Sequence, residues 1–145
     1  MAEMIPVTIT GVIRGTEDDG PTRQERFFIE LAAAADGDGR RLRIGVGDAE
    51  AVALAFSLQG QEFPRPMTYQ LMASLVAAAG STVRSVRVTS LRDDIFYAQV
   101  MLRGGATVDA RPSDALNLAA ITGAAVYVAD ELLGLPAGQG RGPAA

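Results

Sequence analysis

The sequence predicts a single α+β domain, built on a mainly antiparallel, mixed sheet with three short-to-medium helices. Three observations lead there. Apolar residues alternate in two runs near the start and again after residue 82, the period of half-buried strands. Three other runs place apolar residues at helical spacing, and each stops at a glycine: Gly60, Gly80 and Gly123. The chain has 145 residues, 48% of them hydrophobic, which suits one domain with a real core.

The elements follow in order. Residues 5–14 read as a strand, with Ile5, Val7, Ile9 and Ile13 on one parity and Pro6 near its start. Residues 15–21 are polar and acidic and read as a turn into a second strand at 23–31, where Phe27, Ile29 and Leu31 share a face. A hairpin is the simplest pairing for these two. Asp36-Gly37-Asp38-Gly39 reads as a turn, since the later acidic ligands of a calcium loop are missing. A short strand at 41–44 breaks at Gly45-Val46-Gly47; the third glycine of a dinucleotide fingerprint is absent. Asp48 suits an N-cap, and Glu50 lies in the first turn of the helix predicted at 49–59. Two prolines bracket Arg65, and Thr68 is expected to cap a helix at 69–79 with Leu71, Met72, Leu75 and Val76 as its apolar stripe.

A three-stranded meander is predicted next. Residues 82–91 alternate, with Val86 and Val88 inward; Arg84 shares their parity and Arg87 does not. Arg92-Asp93-Asp94 turns the chain into residues 95–103, with Phe96, Ala98, Val100 and Leu102 on one face and Tyr97, Gln99 and Met101 on the other. Gly104-Gly105 is a hairpin signal, and residues 106–110 form the third strand. This strand delivers Asp109 and Arg111 to a helix start where Pro112 suits the first position. Ser113 or Asp114 can accept from the free N–H groups there. After the helix come a strand at 125–128 and a helical turn at 129–133. The domain is read as 1–133, and the Gly/Pro/Ala-rich residues 134–145 as a disordered tail.

Composition excludes much chemistry. The chain has no cysteine and no histidine, which removes thiol nucleophiles, histidine bases and Ser-His-Asp triads. All 13 basic residues are arginine, which removes Schiff-base and P-loop lysines. The net charge of −4 means that any nucleic-acid contact needs a local arginine cluster. No apolar run reaches a membrane span and no signal-peptide core is present, so the default expectation is a cytoplasmic protein without a membrane partner.

Four segments carry a resemblance. Asp109-Ala110-Arg111-Pro112-Ser113-Asp114-Ala115 resembles the signature of the bifunctional nuclease domain family, found in small bacterial and plant proteins. Gly45 to Ala55, Arg65-Pro66-Met67-Thr68 and Leu91-Arg92-Asp93-Asp94-Ile95-Phe96-Tyr97-Ala98 resemble three further family motifs in the same order, over residues 44–133. The resemblance implies an α+β fold, self-association and RNase and DNase activity. The family commonly has a histidine and an acidic or polar residue after the Arg-Pro-Leu-Thr turn; here the positions hold Tyr69 and Gln70.

Motifs and elimination together name the candidates. Hydrolysis must rest on carboxylates: Glu50, Asp93, Asp109 and Asp114 as catalytic residues, with Asp109 and Asp114 as ligands of Mg²⁺ or Mn²⁺. Arg65, Arg92 and Arg111 are the phosphate binders. The expected function is hydrolysis of RNA or single-stranded DNA by a homo-oligomer. The alternative is a non-catalytic oligomeric binding or scaffold protein. In that reading Asp109, Arg111 and Asp114 form a structural salt-bridge and capping network, Asp93 and Asp94 are turn residues, and Glu50 supports a helix dipole. Tyr97 and Met101 pack either on a second subunit or under a helix.

Overall fold

The computed structural model describes residues 3–19 and 21–136. Among them seven strands form one mixed sheet in the order β3-β2-β1-β7-β4-β5-β6. The strands are β1 (Met4–Asp19), β2 (Thr22–Ala33), β3 (Arg41–Val46), β4 (Val83–Arg92), β5 (Ile95–Leu102), β6 (Thr107–Ala110) and β7 (Ala125–Ala129). The helices are α1 (Asp48–Leu58), α2 (Thr68–Ala78) and α3 (Pro112–Thr122), and Asp130–Leu132 is a 3-10 turn. Only the β4–β7 pair is parallel. This is the predicted α+β architecture.

Two cross-strand rows run along the core face of the sheet. Val7 pairs with Val126, Val126 with Val86, Val86 with Val100, and Val100 with Val108. One step along, Ile5, Val128, Val88, Ala98 and Ala110 form a second row. Side chains alternate strictly across a sheet, so both rows lie on one face. That face meets the helices: α1 packs over β1 and β2, and α3 over β4, β5 and β7. The intervening row, Pro6, Tyr127, Arg87, Gln99 and Asp109, stands on the opposite face. Tyr97 also lies on that face, so no helix covers it; the Arg92 guanidinium sits 4.1 Å above its ring instead.

Three register shifts interrupt the ladders, at Thr10, Arg84 and Thr89, and the first two change the expected parity. A register shift between Ile9 and Gly11 means that Val12, not Ile13, packs on the core. The Thr10 hydroxyl at this shift donates to Glu30 Oε1 at 2.9 Å. A second shift between Val83 and Ser85 leaves Arg84 exposed, although it shares the parity of Val86 and Val88. An extra residue is the local solution when an inward charge conflicts with the pattern. The long β1–β2 hairpin also overran its predicted acidic turn, for pairing continues to Asp19 and Thr22. The turn between β4 and β5 is tight, with Asp93 and Asp94 at φ of 51° and 62°, a conformation that short polar side chains tolerate.

On the outer face, Glu30 is buried and takes bonds from Arg41 Nη1 at 2.6 Å and Arg43 Nε at 3.0 Å. Burial pushes its carboxyl up, but the bonds from Thr10, Arg43 and Arg41 outweigh this and hold it below the usual range. The 3-10 turn docks on β3: Gly134 N–H donates to Arg41 O at 2.9 Å, and Leu135 packs on the core. The predicted tail therefore begins as part of the domain; residues 137–145 lie outside the described residues. No described helix is long and apolar enough to cross a membrane.

Candidate functional site

Side chains from the first turns of all three helices converge. Glu50 is the third residue of α1, Tyr69 the second of α2 and Asp114 the third of α3; Arg111 is the N-cap of α3. Pro112 at N1 has no N–H to lose and fixes this entry. The Arg111 guanidinium grips Asp114 through two bonds, Nε to Oδ2 at 2.8 Å and Nη2 to Oδ1 at 3.0 Å. Its Nη2 also donates to Glu50 Oε1 at 3.2 Å, across 61 residues. The Tyr69 hydroxyl donates to Asp114 Oδ1 at 2.7 Å.

The electrostatics follow from this geometry. Burial pushes the Asp114 carboxyl up, but the bonds from Arg111 and Tyr69 prevail and hold it below the ordinary carboxylate range. Burial and the neighbouring Asp114 carboxylate push the Tyr69 phenol well above its usual value, so it is a hydrogen-bond donor at neutral pH and not a base. Asp114 and then Glu50 hold Arg111 firmly charged. Three helix N-termini add their positive dipole ends near the carboxylates.

Small and buried residues set these positions. A Cβ on Gly47 would occupy the place of Glu50 Oε2, so the carboxylate folds over a glycine. A Cβ on Gly45 would come within 2.7 Å of the Arg26 guanidinium. The Gly-x-Gly pair thus makes room for two side chains. Asn117 is fully buried, and its Nδ2 donates to Glu50 O at 3.1 Å and Ser113 O at 2.9 Å, tying α1 to α3. Sequence reasoning passed over Asn117, read Gly47 only as part of a strand break, and treated Tyr69 only as a departure. The available signal was an asparagine in a helix interior, where it needs a tertiary partner to be tolerated.

The helix starts differ in detail from the expectation. Gly47 is the N-cap of α1, and Asp48 its first residue. Thr68 begins α2 without capping it; Gln70 Oε1 reaches back to accept from Met67 N–H at 3.0 Å. Ser113 Oγ is buried without a hydrogen-bond partner among the described residues, and Asp114 turns to Arg111 and Tyr69 instead of capping.

The cluster closes one end of a cavity of about 640 Å³ between α1 and α2. Val52, Phe56, Phe63 and Met67 supply apolar wall; Asp48, Glu50, Asp114 and Arg111 are its charged lining. Of the candidates, Glu50, Arg111 and Asp114 are therefore brought together. Asp109 does not join them: the alternation of β6 sends it to the far face beside Gln99. Asp93 is in the β4–β5 turn, Arg92 lies on Tyr97, and Arg65 is exposed in the bend before α2. None of these four lines the cavity. No group of three or more acidic side chains suited to an ion occurs among the described residues. Both carboxylates that do meet are bonded to Arg111, so this donor set does not fit a preformed divalent-ion site.

Residues 32–136 match the family model described as the bifunctional nuclease domain. Uncharacterized proteins from two strains of Mycobacterium tuberculosis are each 40% identical to this chain over 75 residues, 52% of this chain and 46% of theirs. The chain spans about half the length of these relatives.

Proposed function

The chain belongs to the bifunctional nuclease domain family, and on that premise we propose that the Glu50–Arg111–Asp114 cluster hydrolyses phosphodiester bonds of RNA or single-stranded DNA. The observation that carries the reading is one guanidinium shared by two carboxylates at the end of a cavity. The Asp114 grip is bidentate, and its carboxylate is held ionised, so Arg111 stays in place. The Glu50 contact is single and longer, at 3.2 Å, so it yields first to a phosphate oxygen. Arg111 then carries the charge that builds on the phosphate, and the released Glu50 carboxylate takes a proton from the attacking water. As the water oxygen bonds to phosphorus the bond to one sugar oxygen breaks, and that oxygen leaves with a proton returned by Glu50 or supplied by solvent. Tyr69 keeps Asp114 oriented. Mg²⁺ or Mn²⁺ is a variable of the assay below, since the described side chains form no cage for it.

A second reading, a non-catalytic oligomeric binding or scaffold module, is favoured by charge. Three carboxylates line the cavity against one guanidinium, which repels a polyanion. Leu71 and Leu75 on α2 are more than half exposed and suit a second copy. Cleavage of end-labelled RNA and DNA by purified protein, with and without divalent ions, separates the two. Activity lost in Arg111→Gln supports hydrolysis. Activity unchanged in that folded variant removes the assigned role, and no cleavage from a folded oligomer leaves the binding module.

A further inference from the structure

We infer that the cavity takes a single unstacked nucleobase and prefers bases that carry an exocyclic amino group. This rests on the nucleic-acid reading above and resolves its charge conflict. Phe56 and Phe63 line the cavity with ring centroids 5.6 Å apart and planes at 76°. Rings set nearly perpendicular cannot both hide their faces against each other, and every base has a π-face to stack on an aromatic. Phe56 remains 39% exposed, and Val52 and Met67 beside it are also exposed, an apolar wall open to solvent.

The acidic end then reads the base. An ionised carboxylate only accepts hydrogen bonds, so it pairs with amino groups and opposes carbonyl oxygens. The Asp48 side chain makes no hydrogen bond or ion pair among the described residues, and the Glu50 carboxylate uses only Oε1, on Arg111. Adenine, cytosine and guanine offer exocyclic amino donors. Uracil offers one ring N–H between two carbonyls that the same carboxylates repel. Arg111 is the one cation in the lining and takes the adjoining phosphate. The acid excess that disfavours a phosphate therefore becomes a selector of bases.

The test is fluorescence anisotropy of the full chain with end-labelled oligo(A), oligo(C) and oligo(U). Oligo(A) and oligo(C) should bind at least about fivefold tighter than oligo(U). Phe63→Ala should weaken oligo(A) and oligo(C) about tenfold, and Phe63→Trp should restore them. Phe63 is in the loop before α2, so both variants should melt with the wild type. Equal affinity for all three RNAs, or oligo(C) binding unmoved by Phe63→Ala, overturns the base pocket and leaves the hydrolytic site standing. No binding of any RNA by folded protein overturns the nucleic-acid reading, and the pocket with it.

Discussion

The Tyr69 hydroxyl donates to Asp114 Oδ1 across 2.7 Å and 45 residues of sequence, joining the first turn of α2 to the first turn of α3. Burial of the phenol and the carboxylate beside it both keep the proton on tyrosine. Tyr69→Phe should therefore cost about 1 kcal/mol of stability, the net worth of one such bond, with the fold intact. Chemical denaturation checks this. An unmoved midpoint would mean that the bond contributes nothing to holding α2.

Asp114 gives a pH dependence with a definite sign. Its folded carboxyl lies below the ordinary range, whereas the unfolded chain titrates near about 3.9. The folded state binds this proton less readily than the unfolded state. The ion pair's stabilisation is thus fully present above about pH 4 and is lost as pH falls through the folded value. Glu30 is lowered too, so its contribution has the same sign and is also lost on acidification. Asp114→Asn should flatten the acid limb of a stability-versus-pH curve without abolishing it. An Asp114→Asn curve that runs parallel to wild type would contradict the assigned cause.

Gly47→Ala tests how Glu50 is positioned. The N-cap has φ −69°, which alanine adopts, so the fold should survive at a cost of under about 1 kcal/mol. The added methyl would displace the Glu50 carboxylate from its place over Gly47. Cleavage should fall about tenfold or more, short of the roughly hundredfold or greater loss for outright removal of a positioned base, because the carboxylate is shifted and not deleted. Full activity in this variant would remove Glu50 from the site.

Glu30 is the structural counterpart of the cluster. It is buried and accepts from Thr10, Arg41 and Arg43. Glu30→Gln should destabilise the protein by about 1–3 kcal/mol, because charge-assisted bonds are lost while a buried polar group remains. Thermal melting reads this, and cleavage per folded molecule should not change.

Much of this was legible in the sequence. Apolar alternation placed the meander, glycines placed the helix ends, and Pro112 and Gly123 marked α3 at N1 and at a left-handed cap of φ 75°. The bulges at Thr10 and Arg84 were not legible, since an inserted residue leaves no period of its own and is fixed by pairing with another strand. The site was half legible. The short span from Asp109 to Asp114 suggested one cluster, but a strand sends alternate residues to opposite faces, and Asp109 fell on the wrong side of the count. Glu50 and Tyr69 reach Asp114 and Arg111 only through the packing of α1 and α2 on α3, which local spacing does not encode.

That face assignment gives the most direct measurement: the rate of single-stranded RNA and DNA cleavage by wild type, Asp109→Asn and Asp114→Asn, each purified identically and assayed with and without Mg²⁺ or Mn²⁺. A site at the three helix starts predicts that Asp114→Asn loses at least about a hundredfold, as for removal of a key electrostatic group, while Asp109→Asn keeps the wild-type rate. Equal loss in both variants would place the chemistry across β6 and contradict the site. Equal trace cleavage in all three would identify a contaminant and leave the chain as a binding member of its family.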